Sequence, residues 1–359
     1  MKADDSKVIE WLRFPLACLI VLLHAQILEP TFQPNTAASG FAYAVRVLFS
    51  EGICRVAVPS FFLISGYLFF KNLEQWDKNI WWGKMKRRFH TLFIPYILWN
   101  LLGIAYLCVS PYFGTVTETP GSLVSFFQER GWLRLFWDGN IDGMPANGPL
   151  WFIRDLIIIN LFSPVIYVFV KYTKQIGLAV LGILFILNFW FPMKGFSVIG
   201  FLFYSVGAYF AIFSKGLADS FRKVKWLSYA GAAVLLTFLV ITFGRYASGE
   251  YFVRCFQLFG VVATFNLALD LMQKGYGRCA RWADSSFFIY ASHIVLISAV
   301  SFLLSKLVPS TNQVLLAVKY LLTAALTVAI CEGVYLLLKR ICPGFLSLIC
   351  GNRKPVKTT

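Results

Sequence analysis

Long apolar runs recur along the whole chain, and they constrain its fold more than any other feature. A transmembrane α-helix needs about 20 predominantly apolar residues to cross the hydrocarbon core of a bilayer. Examples are AVLGILFILNFWF, which starts at Ala179, and VLLAVKYLLTAALTVAICEGVYLLL, which starts at Val314. Only 14% of the residues are charged, against about 25% in an ordinary soluble domain. The sequence therefore predicts an all-α, polytopic transmembrane helical bundle.

About ten spans are predicted at this length. They cover residues 8–28, 46–70, 91–110, 150–170, 176–191, 197–213, 226–243, 252–272, 285–305 and 314–338. The first run is long enough to stay in the membrane as an anchor, and no small-residue cleavage site accompanies it. We expect a single membrane domain over residues 1–345 and a short basic cytoplasmic tail over residues 346–359.

The distribution of positive charge predicts the orientation of the bundle. If the N-terminus lies inside, the inner loops and termini hold twenty-two Lys and Arg residues and the outer loops hold five. Cytoplasmic loops are enriched in Lys and Arg, so this asymmetry predicts that both termini are inside. It also explains most of the net charge of +16 as a topology signal, which argues against a nucleic-acid partner.

The cysteines and histidines do not indicate a metal site. Eight cysteines are scattered without a CxxC pair, and Cys18, Cys108 and Cys331 fall inside apolar runs. Small buried core residues are the simplest interpretation. No spacing of His, Cys or carboxylate residues is typical of metal ligands, and no tightly bound cofactor is expected.

Two ionisable residues mark the first apolar run. Arg13 and His24 are eleven residues apart, about three turns, so they lie on nearly the same helix face and roughly 16 Å apart along its axis. Ionisable side chains at membrane depth are costly and usually functional. A histidine can remove a hydroxyl proton near neutral pH, which makes His24 the best base candidate. Arg13 could instead only extend to the headgroups.

A cationic group is predicted near the cytoplasmic side. It combines Arg13 with the pair Arg87 and Arg88 and with the small step Ser65–Gly66. Arginine binds phosphate through two parallel hydrogen bonds, so this group suits a phosphorylated donor. The alternatives are that the arginine pair only sets topology and that Ser65–Gly66 only allows helices to pack closely.

A second group of mixed charge is predicted in the outer half of the membrane. It contains His24, Glu29, Glu51, Arg55, Trp151, Arg154 and Asp155, with His293 near mid-depth. Such a group suits a polar acceptor. Glu51 and Arg55 are spaced i,i+4 and could be only a structural pair, and His293 could be a hydrogen-bonded core residue. Because Arg154 and Asp155 are adjacent, we expect them to point to different sides and not to form a simple pair.

At these residues the sequence resembles the acyltransferase-3 family of bacterial integral-membrane acyltransferases. The first-helix pattern of Arg and His eleven residues apart is Arg13 and His24, and the VPxFFxxSG pattern is VPSFFLISG, Val58 to Gly66. The family's basic pair is Arg87–Arg88, and its LWF element is Leu150 to Phe152. A weaker late element, IYASHIVLI, keeps Tyr290 and His293 but departs from the family pattern between them. The resemblance covers nearly the whole chain.

The resemblance implies an O-acyltransferase of the bacterial inner membrane. Its donor would be cytoplasmic acyl-CoA, often acetyl-CoA, and its acceptor a hydroxyl of an extracytoplasmic glycan or lipid-linked sugar. His24 would be the catalytic histidine and Arg13 its partner. Arg87 and Arg88 would help to hold the acyl-CoA, and Phe61, Phe62, Ser65 and Gly66 would shape the donor path.

Two other classes of protein compete with this interpretation. A transporter or exporter of a glycan or small metabolite would explain intramembrane charge equally well, but it gives no reason for the family motifs. A signalling or scaffold protein leaves the charged groups unexplained.

Overall fold

The computed structural model describes residues 5–25, 40–73, 75–109, 123–139, 143–242, 249–276, 282–307 and 312–352, and these ranges are helical or form short connections. The longer helices, in chain order, are α1 Asp5–His24, α2 Phe41–Phe70, α3 Lys78–Val109, α4 Leu123–Arg130, α5 Trp151–Leu161, α6 Ser163–Leu187, α7 Val198–Ile212, α8 Leu217–Lys223, α9 Lys225–Thr242, α10 Gly249–Gln273, α11 Ser286–Leu307, α12 Gln313–Ile341 and α13 Pro343–Ile349.

Seven of the described helices are long and apolar enough to cross a membrane, and the bent pair α7–α8 would make eight. Two helices that match predicted spans fall outside this set. The α1 helix carries four charged residues, and α5 has only 11 residues before the turn that leads into α6. The break at Lys174 inside α6 separates the predicted fourth and fifth spans. All ten predicted spans thus have helical counterparts, and the transmembrane helical fold is confirmed.

The bundle is built around close contact between α2 and α7. A Cβ atom at Gly66 would collide with the backbone of Tyr204, and one at Gly207 would collide with the backbone of Leu63. Small residues at helix interfaces allow this approach. Phe62 and Tyr204 are fully buried beside the contact. Because backbones this close leave little room to shift, α2 is a rigid support for the residues on its other faces.

Two of the long helices are irregular next to the predicted charged groups. The α2 helix contains a π-helical segment, Val47–Gly52, followed by a 3-10 turn, Ile53–Val56. The α3 helix contains a π-helical segment at Phe89–Phe93, directly after Arg87–Arg88. Single π-helical turns often occur at functional sites, because they redirect the side chains around them.

The turn that precedes α5 is anchored on both sides. The side chain of Asn147 donates to the carbonyl oxygen of Ala291 at 3.0 Å, and its backbone N–H donates to Asn100 Oδ1 at 3.2 Å. A Cβ at Gly103 would lie 2.9 Å from the Asn147 nitrogen, so the glycine lets α3 approach this turn. The start of α5 is therefore fixed against α3 and α11.

The C-terminal end of the described chain packs on α3. The indole of Trp99 donates to the carbonyl oxygen of Ile349 at 3.0 Å, and Leu346, Ile349 and Cys350 are buried. Residues 346–352 of the predicted tail therefore lie against the bundle, whereas residues 353–359 are outside the described ranges. The cytoplasmic location of both termini stays a prediction.

Candidate functional site

Two cavities lie on opposite faces of α5. We call the first the basic cavity, and it has a volume of about 500 Å³. We call the second the mixed-charge cavity, and its volume is about 890 Å³. The basic cavity is lined on this helix by Phe152, Ile153 and Leu156, and the mixed-charge cavity by Trp151, Arg154 and Asp155. Both volumes are in the range of small-molecule sites.

The same two cavities lie at different heights along α2. Glu51 and Arg55 line the mixed-charge cavity, while Phe61, Ser65 and Phe69 line the basic cavity. From Arg55 to Phe69 is fourteen residues, which is roughly 21 Å along a helix axis. This distance is a large part of the hydrocarbon thickness of about 30 Å. The predicted separation of a cationic group from a mixed group is therefore present in the fold.

The basic cavity is lined by four cations. They are Arg13 from α1 and Lys84, Arg87 and Arg88 from α3, and no carboxylate is among the lining residues that the structure describes. Glu10 and Asp284 supply opposite charge that acts on Arg13, but neither lines the cavity. Positive charges that outnumber the nearby counter-charges in a confined space repel one another, and they are stabilised by a bound anion.

Helical spacing brings the α3 cations together. Lys84, Arg88 and Thr91 are separated by four and three residues, so they share one face with Arg87, and all four line the cavity. The ammonium group of Lys84 donates to the carbonyl oxygen of Phe69. The guanidinium of Arg88 lies 5.8 Å from the centroid of the Phe69 ring, a cation–π distance.

One wall of the basic cavity is aromatic. The ring centroid of Phe152 lies 6.0 Å from that of Phe61 and 6.0 Å from that of Tyr290. The hydroxyl of Tyr290 donates to the carbonyl oxygen of Pro149, in the anchored turn before α5. The cavity thus pairs cations with an apolar wall, which suits a ligand that has an anionic head and a less polar arm.

Two residues of the predicted donor path do not line the basic cavity. Phe62 is fully buried, and its ring packs against Phe152 with centroids 4.6 Å apart. Gly66 contacts the α7 backbone, which is the packing alternative considered for the Ser65–Gly66 step. Phe61 and Ser65 do line the cavity. The structure therefore places Phe62 and Gly66 behind the lining residues.

The mixed-charge cavity brings together five of the predicted acceptor-side residues, which are Glu51, Arg55, Trp151, Arg154 and Asp155. The carboxylate of Glu51 accepts hydrogen bonds from Arg55 and lies 3.7 Å from a terminal nitrogen of Arg46. Glu51 and Arg46 are buried. Arg46 and Arg55 thus both lie against the buried carboxylate of Glu51.

The expectation that Arg154 and Asp155 do not pair is wrong. The guanidinium of Arg154 donates from Nε to Asp155 Oδ1 at 3.0 Å and lies 3.0 Å from it through Nη2 as well. Both side chains are buried, and Arg154 also donates to the carbonyl oxygen of Trp137 at 2.5 Å. The side chain of arginine is long enough to fold back beside its neighbour, and burial without a partner would cost several kcal/mol.

The two predicted membrane histidines are neighbours. The ring centroids of His24 and His293 are 5.2 Å apart. His293 is fully buried, and its Nδ1 bonds to the carbonyl oxygens of Tyr290 and Ile289 at 2.7 and 3.3 Å. Carbonyls only accept, so Nδ1 carries the proton and Nε2 is the acceptor. This Nε2 is buried with no hydrogen-bond partner among the described residues.

His24 lies between the two cavities without lining either of them. On one side it adjoins His293, which is one helical turn after Tyr290 of the basic cavity. On the other side, the positive charge of Arg55 from the mixed-charge cavity acts on it. The histidine pair therefore lies near residues of both cavities.

Glu29 lies outside the described residues. Within the ranges that are described, no group of three or more His, Cys, Asp and Glu side chains is arranged to hold a metal ion.

Several lining residues were not identified by the sequence analysis. Lys84 and Thr91 could have been found, because they repeat the helical spacing of Arg87 and Arg88. Trp190, Lys194 and Arg254 line the mixed-charge cavity from the α6–α7 loop and α10, and no local pattern connects these distant segments.

Comparison with known proteins adds two positive findings. The family model described as "Acyltransferase domain" matches residues 7–335. The chain is also similar to the succinoglycan biosynthesis protein ExoH of Rhizobium meliloti (strain 1021), with 26% identity over 381 aligned positions that cover 99% of this chain and 95% of that protein. No solved structure matches the chain.

Proposed function

Because the chain belongs to the acyltransferase family whose model matches residues 7–335, we propose that it transfers an acyl group from acyl-CoA to a carbohydrate hydroxyl across the membrane. The basic cavity is the observation that carries this proposal. It offers four cations and an apolar aromatic wall inside a membrane bundle. The simplest donor is acetyl-CoA, and the simplest setting is the inner membrane of a bacterium.

The donor fits the basic cavity by charge and by shape. Coenzyme A carries phosphate groups at one end and a thioester at the end of a flexible, less polar arm. Phosphate oxygens can bind to the exposed Arg87 and to the half-buried Arg88, since guanidinium groups match phosphate geometry. The arm then extends past Ser65 toward the wall formed by Phe61, Phe152 and Tyr290, which brings the thioester toward the histidine pair.

His24 acts as the base in this proposal. It removes the proton from the acceptor hydroxyl as the oxygen attacks the thioester carbonyl. A new oxygen–carbon bond forms, the carbon–sulfur bond breaks, and the proton ends on the sulfur of the CoA thiol. His293 is a positioning residue, because its Nε2 can accept an N–H hydrogen bond from the His24 ring and fix the ring's tautomer.

The mixed-charge cavity receives the acceptor. Its aromatic and charged side chains suit a sugar, which presents both C–H faces and hydroxyl groups. The similarity to a succinoglycan biosynthesis protein supports a cell-surface polysaccharide or its lipid-linked precursor. Donor and acceptor then enter from opposite faces of the membrane, in agreement with the separation of the cavities along α2.

The test uses purified protein in liposomes with acetyl-labelled acetyl-CoA. A single cysteine at Lys78, the first residue of α3, reports by labelling which face carries the basic cavity. Acetyl-CoA added to that face should release CoA and label an oligosaccharide supplied on the other face. Glycan flux without CoA release would instead identify a transporter, and release from the opposite face would contradict the proposed sidedness.

A further inference from the structure

The charges of the mixed-charge cavity are arranged in depth. Two of its three carboxylates, Glu51 and Asp155, are buried, and each binds an arginine. The cations Arg55 and Lys194 are more exposed, with 38% of the Arg55 side chain accessible. The cavity therefore has four cations and three carboxylates, and its accessible charges are the cations Arg55 and Lys194 and the carboxylate Glu250.

The anchoring of Arg55 leaves part of its guanidinium toward the cavity. Its Nε and Nη2 both donate to Glu51 Oε2, and no described residue accepts from Nη1. Gln257 donates to the Arg55 carbonyl oxygen at 2.9 Å, so the backbone of Arg55 is tied to α10. A buried carboxylate that orients an arginine in this way holds the remaining donors for an incoming anion.

A second cation comes from α10. Arg254 donates to the carbonyl oxygen of Ile186 at 3.2 Å and to Glu250 at 3.0 Å. The Glu250 side chain is 75% exposed, whereas that of Arg254 is 15% exposed. Because Glu250 is exposed, water screens its attraction to Arg254 and the pair contributes little, so a ligand anion can replace Glu250 at small cost.

The third cation, Lys194, belongs to the loop between α6 and α7. It is exposed, and no described carboxylate pairs with it. The loop is ordered by a hydrogen bond from the Trp190 indole to the carbonyl oxygen of Phe196 at 2.7 Å. Trp190 and Trp151 both line the cavity, and aromatic rings offer flat apolar surfaces on which a sugar ring can pack.

From this arrangement we infer that the mixed-charge cavity selects a saccharide that carries an anionic group. Arg55, Lys194 and Arg254 receive the anion, and the tryptophans contact the sugar. The anion is a carboxylate of a uronic acid or a phosphate on a lipid-linked sugar, since both accept from the same donors. This inference rests on the proposed function of the cavity.

The experiment measures binding and transfer separately with the full-length protein in nanodiscs. The probes are three compounds of matched length: a neutral oligoglucoside, an oligoglucuronate and an oligoglucoside phosphate. Binding is followed by tryptophan fluorescence, and transfer is followed with labelled acetyl-CoA. The variants are Lys194→Gln and Arg254→Gln. Lys306→Gln is the matched control, because Lys306 is an exposed cation that lines neither cavity.

At least one anionic probe should bind about tenfold or more tightly than the neutral one, the ratio expected from one charge-assisted hydrogen bond. Lys194→Gln and Arg254→Gln should each remove most of that preference and raise the acceptor KM, with the donor KM unchanged. The Lys306→Gln control should keep the binding preference and the acceptor KM of the wild type. Preference for the glucuronate identifies an acidic sugar, and preference for the phosphate identifies a phosphorylated acceptor.

Equal binding of the neutral and anionic probes would overturn the inference, and so would a preference that survives both variants. Equal binding with efficient transfer to the neutral probe would leave the proposed function intact. Charge-selective binding without acyl transfer to any probe would instead overturn the proposed function and keep the inference. Gel-filtration profiles identical to wild type show that each variant is folded, so a lost preference reflects the missing cation.

Discussion

The two cavities differ in how their positive charges are balanced. The described lining of the basic cavity has four cations and no carboxylate, whereas Arg55 and Arg154 of the mixed-charge cavity lie against the buried carboxylates of Glu51 and Asp155. Unbalanced charge near an opening can be retained because water and a ligand anion solvate it. Fully buried charge needs an internal partner. The comparison indicates that the first cavity gains stability from its ligand and that the second keeps its shape without one.

The largest effect is expected on the rate of acyl transfer when His24 is replaced. His24→Ala should reduce acyl transfer by about 10²–10⁴-fold, the contribution typical of a general base. Both substrates should still bind, because His24 lines neither cavity. The measurement is kcat together with donor and acceptor affinity. A variant that retains near-normal kcat would exclude His24 as the base.

The next-largest effect is expected on thermal stability, and it should differ between variants of the two cavities. Asp155→Asn leaves Arg154 buried without its counter-ion, and breaking a buried pair costs about 3–5 kcal/mol. Arg87→Gln removes one of several like charges at an exposed rim, so it should leave thermal stability unchanged or slightly higher. The stability of both variants is measured by thermal unfolding in detergent without substrates. Equal losses of stability would show that the two cavities balance their charges in the same way.

A smaller effect concerns donor binding. Arg87→Gln with Arg88→Gln should raise the acyl-CoA KM about tenfold or more, since charge-assisted hydrogen bonds to phosphate are lost. Added salt should weaken CoA binding to the wild type. Lys86→Gln is the matched control, because Lys86 is exposed in the same basic stretch and does not line the cavity. If Lys86→Gln has the same effect, general surface charge explains the binding.

The smallest effect is expected at the positioning residue. His293→Asn should lower kcat about three- to tenfold, the ratio expected for one net hydrogen bond, and leave both KM values near wild type. Ser292→Ala, at a buried neighbour on α11 that contacts Cys331 at 3.4 Å, is the control for packing. A change in KM with unchanged kcat would assign His293 to binding.

Much of the candidate site follows from local sequence. Arg13, Arg87 and Arg88 were predicted to form one cationic group, and the structure places them in one cavity. Glu51, Arg55, Trp151, Arg154 and Asp155 were predicted as a second group, and they line the other cavity. Depth in a membrane helix is read directly from sequence position, because each residue rises 1.5 Å. Their catalytic and binding roles stay predictions.

The sequence by itself therefore determined the membrane class, the helices and the order of the charged residues along them, since hydropathy and helical rise are local properties. Only the tertiary structure decided which faces meet. It paired Arg154 with Asp155, placed His24 beside His293, put Gly66 against Tyr204, and brought Lys194 and Arg254 from distant segments to one cavity. These contacts depend on the rotation and packing of whole helices, which are set by many side chains at once.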